Sequence, residues 1–367
     1  MVEVTVIIFH PRQPAPGALG SLLEAARDRL VEIQGGLFLR AGAEDVRVDE
    51  DRRGSFGQAL ALAAANLAGR GLIVLGAGAV PRLRLADARR LVAAAASGER
   101  RALTNNRFSS DVCAIGDSRA LVDLPALPAD NALPRWLAEH GGFEVDELPA
   151  RERLAFDLDT PLDLALLCLA PGTPGPLRRL ARQAGLEVPR LAELRAVAAD
   201  PRRELLVAGR ASSTTLRWLE RNTACRIRFL AEERGLRAAS PLAQGRPSAD
   251  RRPPRTVLGR LVGERGPAGL GGLIAELADG AIVDSRTLLA DQLGPDESAW
   301  PSAEDRFASD LLRPERIEDP WLRRLTTSAA TGTLPILLGG HTLVGPGLPF
   351  ALGVHTTRRG ATPRARP

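Results

Sequence analysis

Along residues 1–170, short apolar runs alternate with longer segments rich in Ala, Leu and Arg, as strands and helices do in a mostly parallel α/β sheet. Val4–Phe9 predicts the first strand, and the Pro/Gly-rich stretch Pro11–Gly20 leads to Ser21 as N-cap of a helix from Leu22 to about Gln34. Asp45–Val48 follows as a short strand. Gly54-Ser55-Phe56-Gly57 then opens a helix through Ala59–Leu67. Gly71–Leu75 (GLIVL) is the most strand-like run, followed by a Gly/Ala/Pro turn and a helix from Leu85 to about Ala96. Further short strands are expected at Arg101–Leu103, Asp111–Ile115, Glu144–Leu148 and Ala155–Leu158, and Pro161–Leu169 continues the last as a helix.

Pro171–Pro176 shifts to Pro, Gly and Thr and marks a boundary. Beyond it, helical Leu177–Ala184 and Leu191–Ala198 precede four apolar runs, Glu204–Ala208, Cys225–Leu230, Ala281–Val283 and Leu334–Leu338. Each run ends in small or polar residues, and in an open α/β sheet ligands bind beyond the carboxyl ends of strands. Arg210, Ser212, Ser213, Asp284 and Arg286 therefore form a candidate anion site, with Ser212 and Ser213 at a helix start and the arginines adding bidentate contacts. His341 follows the last run and is the candidate general acid/base. The plain alternative is N-capping Ser/Thr, loop glycines and a surface histidine. Gln244–Arg255 reads as a loop, Gly263–Gly272 as a flexible connection and residues 356–367 as a basic flexible tail.

Composition narrows the chemistry. All 49 basic residues are arginine, so a P-loop lysine, a Schiff base and a lysine general base are excluded. The net charge of +5 is spread among 44 carboxylates, which makes nucleic acid an unlikely partner. Cys113, Cys168 and Cys225 lie far apart and form no C-x-x-C pair, arguing against a disulfide scaffold or structural zinc. No apolar run reaches the roughly 18 residues of a membrane helix. With an opening MVEVTVIIFHP that reads as a strand, the expectation is a cytoplasmic protein.

The boundary string FDLDTPLDLALL, Phe156–Leu167, carries the most specific chemistry. Thr160 suits a helix cap, Pro161 the first helical position, and Asp163 the positive end of the helix dipole. Asp157 and Asp159, two residues apart in an extended segment, share one face and are able to share a divalent cation. The alternative is a capped turn whose aspartates face water. Thr104, Asn105, Asn106 and Ser110 offer short polar side chains to a base or ribose, or simply make a turn. Gly54, Ser55 and Gly57 offer a helix start to an anion.

Taken in order, the GSFGQALALAAANL helix, GLIVLGAGAVPRLRLADARRLV, ALTNNRFSSDVCAI and the closing FDLDTPLDLALL resemble nucleotidyltransferases of the nucleotide-diphospho-sugar transferase superfamily. The nearest branches are the phospholactate guanylyltransferases and molybdenum-cofactor nucleotidyltransferases. The resemblance covers residues 1–170 and implies a Rossmann-type sheet, followed here by a second, smaller α/β domain over 177–355. It further implies a nucleoside triphosphate and a small acidic substrate as partners, with Mg²⁺ at Asp157 and Asp159. Under this reading Arg12, Gly54, Ser55, Gly57, Thr104, Asn105, Asn106 and Ser110 are the candidate nucleotide-binding residues, with Arg52, Arg53 and Arg107 as further candidate phosphate partners. Two family features are missing. FHPRQPAPGALGS carries no lysine, and Gly76-Ala77-Gly78-Ala79 stands where a metal-binding acid follows the GLIVL strand. A catalytically degenerate nucleotide-binding or scaffolding module, with any chemistry in the second half, is the competing expectation.

Overall fold

The computed structural model describes residues 2–12, 17–51, 54–67, 69–127, 130–149, 151–232 and 255–353. The first half builds one mixed sheet from β1 (Val4–Phe9), β2 (Asp45–Asp49), β3 (Gly71–Gly76), β4 (Arg101–Thr104), β5 (Val112–Ile115) and β6 (Glu144–Glu147), in the order β2-β1-β3-β5-β4-β6. All neighbours are parallel except β5, which is antiparallel to both β3 and β4. β1 and β3 read as near-continuous apolar runs because both faces of the sheet are covered.

Six helices accompany this sheet: α1 (Ala18–Ala41), α2 (Phe56–Ala65), α3 (Leu85–Ala95), α4 (Leu133–Glu139), α5 (Arg151–Leu154) and α6 (Pro161–Leu169). α1 begins before the expected Ser21 cap and runs past Gln34 to a left-handed Gly42. Its first amides are satisfied from elsewhere in the chain, so the local cap signal was not decisive. Ala155–Leu158 forms no strand. It crosses as an extended segment, with the Leu158 amide bonding Gly78 and no run of sheet partners.

The second half contains α7 (Gly175–Gln183), α8 (Leu191–Ala199), β7 (Glu204–Gly209), α9 (Ser213–Asn222), β8 (Arg226–Ala231), α10 (Val257–Arg265), α11 (Leu270–Leu277), β9 (Gly280–Asp284), α12 (Ser285–Leu293), α13 (Ala303–Asp310), α14 (Pro320–Thr331), β10 (Ile336–Gly339), α15 (His341–Val344) and α16 (Leu348–Leu352). Its sheet is wholly parallel, in the order β10-β9-β7-β8. Gly263–Gly272 is not a flexible connection. Its residues close α10, make a 3₁₀ turn at Pro267–Gly269 and open α11. The basic tail 356–367, the Pro/Arg-rich loop save Arg255, and Arg52 and Arg53 lie outside the described residues.

One apolar cluster joins the halves: Leu19, Leu23, Ala26 and Leu30 of α1 and Leu162 and Leu166 of α6 pack into the core that surrounds β7, β9 and β10. Two smaller clusters, holding Val6 and Ile73 in one and Ile7 and Val74 in the other, fill the opposite faces of the first sheet. Among the described residues, no helix is long and apolar enough to cross a membrane.

Candidate functional site

The FDLDTP segment is held rigidly by its own helix start. Thr160 accepts the Asp163 amide at 3.2 Å, while Asp163 Oδ2 accepts the amides of Asp159 at 3.1 Å and Thr160 at 2.8 Å, a capping box with Pro161 in the first turn. Leu158 is fully buried, its amide donates to Gly78 at 2.9 Å, and its carbonyl accepts Arg27 Nε at 3.1 Å. With Leu158 pinned into the core, the flanking Asp157 and Asp159 are left on the other side of the extended chain.

The third member comes from the second sheet. β10 ends at Gly339, and His341 opens α15 directly after it, with Thr342 Oγ1 donating to the Asp157 carbonyl at 3.5 Å. His341 Nε2 stands 3.8 Å from Asp157 Oδ2. One ligand atom from each of Asp157, Asp159 and His341 lies within 4.8 Å of the others. The metal pair and the candidate acid/base, read from separate halves of the chain, therefore meet at one junction.

Carboxyl groups are concentrated around this junction. Burial pushes the Asp157 carboxyl well above the usual carboxylate range, and Asp159, Asp130 and Asp163 push the same way, against a favourable Val80 amide. Burial, reinforced by Asp159, raises Asp163 to about 7. Asp111 is driven up by burial and by Asp157, and Asp130 is driven to about 6, chiefly by burial. Asp157 Oδ1 and Asp163 Oδ1 are buried oxygens without a hydrogen-bond partner. Opposing charge comes from Arg27, whose Nη2 lies 3.5 Å from Asp159. This donor set suits a divalent cation, which would neutralise the carboxylates and use the unpaired oxygen of Asp157.

Other residues singled out from the sequence are engaged elsewhere. Arg12 donates to Glu50 Oε1 at 2.7 Å and to Asp28 Oδ1 at 2.6 Å. Ser55 caps α2 in a reciprocal box with Gln58, and the Gly57 amide donates to Leu127 at 3.0 Å. Gly54 sits in the left-handed region at φ +68°. Thr104 Oγ1 bonds Val112 O and Ser110 Oγ, each at 2.9 Å. Asn105, fully buried, accepts the Asp111 and Val112 amides and donates to Asp111 Oδ2 and the Leu154 carbonyl. Asn106 Oδ1 accepts the Phe108 amide at 3.0 Å, and Arg107 donates its own amide to Glu147. The polar string thus builds the turn that carries Asp111. Ser110 and Asp111 line a cavity of about 50 Å³ with Phe9, Phe56, Gly76 and Asp130.

The proposed anion site in the second half is filled by carboxylates of the chain. Arg210 donates to both oxygens of the fully buried Asp284, at 2.6 and 3.1 Å, across the ends of β7 and β9. Gly209, at φ +129°, has no room for a Cβ against Asp284. Arg286 is paired with both oxygens of buried Asp310 and with Ser285. Ser212 caps α9 through the Thr215 amide, and Ser213 opens that helix. A larger cleft of about 510 Å³, lined by Gly271, Gly272, Arg323, Thr327 and Leu334, includes none of the candidate site residues. Burial pushes the Cys113 thiol up to about 12, removing it as a nucleophile.

Arg27, Asp130 and Asp163 contribute to the electrostatics of this junction. Asp163 was legible as a helix-start acid; Arg27 and Asp130 carry no local sequence signal. No protein-family model and no curated protein matches this chain.

Proposed function

We propose that the junction of Asp157, Asp159 and His341 is a metal-dependent nucleotidyl-transfer site. The observation that carries this reading is the gathering of Asp157 and Asp159, with an unpaired buried oxygen on Asp157, at a junction reached from both sheets. Asp157 and Asp159 hold the cation, with Mg²⁺ as the reference ion of this chemistry. The bound ion would supply charge neutralisation at a triphosphate. An acceptor oxygen attacks the α-phosphorus of a nucleoside triphosphate, the bond to the bridging oxygen breaks, and pyrophosphate leaves. Three unpaired thiols support a reducing, cytoplasmic setting.

A second reading, a degenerate nucleotide-binding or scaffolding module, is favoured by two observations. No acid occupies Gly76–Ala79, and Arg12 is spent on Glu50 and Asp28. Both readings are separated by thermal melting with GTP, CTP, ATP or UTP, with and without Mg²⁺, since a ligand of the native state raises the melting temperature by mass action. The transferase reading expects a cation-dependent rise with one nucleotide and pyrophosphate release that Asp157→Ala with Asp159→Ala abolishes. Nucleotide binding without pyrophosphate release in the presence of any acceptor tested supports the degenerate module. Turnover that survives the double substitution overturns the metal assignment.

A further inference from the structure

Resting on the cation site just described, we propose that His341 is itself a metal ligand. The site therefore selects a borderline transition dication such as Co²⁺ or Zn²⁺ over Mg²⁺, and the bound ion ties the second sheet to the first.

The geometry comes first. Donors around one ion at about 2.1 Å stand about 3–4 Å apart. His341 Nε2 is 3.8 Å from Asp157 Oδ2, and the three donor atoms all lie within 4.8 Å of one another. Closing to a coordination sphere therefore takes only small side-chain rotations. The Asp157 side chain is 17% exposed, and its Oδ1 is covered and without a partner. Asp163, 1% exposed, likewise leaves Oδ1 unpaired while its other oxygen braces the Asp159 amide. Two unpaired carboxylate oxygens buried at one junction are costly in the ionised state unless a cation neutralises them. His341 and Asp159 side chains are 38% and 51% exposed, leaving one side open for ion entry and for water or a phosphate oxygen as remaining ligands.

The donor type comes second. Mg²⁺ favours oxygen and near-ideal octahedra, whereas imidazole suits later divalent ions, for which a mixed nitrogen and oxygen site is preferred. A histidine in general acid/base service would leave ion selectivity to the carboxylates alone. The connectivity comes third. Asp157 and Asp159 lie in the first half just ahead of α6, while His341 follows β10 with only Gly340 between them. An ion bound by all three cross-links the Asp157–Thr160 segment to the end of β10.

The test uses the full chain, stripped with chelator and titrated with Co²⁺ or Mg²⁺ alone. Wild type is expected to bind one Co²⁺ at least about tenfold more tightly than Mg²⁺, and Co²⁺ is expected to slow amide exchange at both 157–160 and 339–342. In His341→Ala, Co²⁺ affinity is expected to fall about tenfold or more. Mg²⁺ affinity stays within about twofold, the Co²⁺ visible spectrum changes, and protection at 339–342 disappears while that at 157–160 remains. An unaltered apo melting temperature shows that the variant folds, and His341→Gln provides a bulkier replacement if alanine does not. If His341→Ala leaves Co²⁺ affinity and spectrum unchanged while Asp157→Asn abolishes binding, the cation site stands and the ligand role of His341 is overturned. Equal Co²⁺ and Mg²⁺ affinities overturn the selectivity. If wild type binds neither ion, the cation site itself falls, and with it both proposals.

Discussion

Glu304 and Leu19, 285 residues apart in the chain, meet at the head of α1: Glu304 Oε1 accepts the Leu19 amide at 3.0 Å. Its other oxygen, Oε2, accepts the Gly20 amide, also at 3.0 Å, so a carboxylate from α13 caps the first helix. Gly17, at φ +102°, permits the approach, since a Cβ there would collide with the Glu304 side chain. Helix starts favour such a charge, and α1 has no acid of its own in its first turn. Glu304→Ala is expected to destabilise the protein by about 1–2 kcal/mol in urea unfolding. No loss would assign those amides to solvent.

The Arg210–Asp284 pair makes a stronger prediction. Burial is the largest single influence and would raise the Asp284 carboxyl, but Arg210, helped by His341 and Arg286, holds it below the usual range. Such a group stabilises the fold above the unfolded-state value and loses that contribution as pH falls through the folded one. Arg210→Ala strands a fully buried charge and is expected to cost about 3–5 kcal/mol near neutral pH, less in acid. Melting curves from pH 3 to pH 8 measure the difference, and a pH-independent loss would reject the ionic account.

Asp163 and Asp130 work in the opposite sense. Burial raises Asp163 to about 7 and Asp130 to about 6. As pH climbs from about 4, the unfolded chain releases these protons while the folded chain keeps them, so stability falls until pH passes the folded values and then levels off. Asp163→Asn is expected to flatten that decline and to raise stability at pH 8, read as a higher melting temperature in metal-free buffer. A slope as steep as in wild type would mean that Asp163 is ionised throughout.

Asn105 separates a turn-building role from a ligand-reading one. It supports two buried amides and one carbonyl of the chain, so Asn105→Ala is expected to cost about 2–4 kcal/mol. If Asn105 instead reads a base, the variant keeps its unfolding midpoint and loses only nucleotide affinity. Chemical denaturation alongside nucleotide titration distinguishes the two.

Local pattern alone was enough for the α/β class, for nearly every strand, and for the Thr160–Pro161–Asp163 helix start, because strand alternation and capping are set by neighbouring residues. Asp157 and Asp159 were legible for the same reason: their spacing in an extended segment places them on one side. The extra turns of α1 and the loss of the Ala155–Leu158 strand escaped, since the first depends on Glu304 and the second on the Leu158 backbone bonding the Gly78 carbonyl and the Arg27 side chain. Nor did Arg210 and Arg286 announce that Asp284 and Asp310 would occupy them. Which charges are spent within the fold, and which remain for a ligand, depends on contacts between distant segments. Sequence order thus determined the elements and the two carboxylates; only the packing of α1 and α6 onto the second sheet decided that His341 would stand beside them.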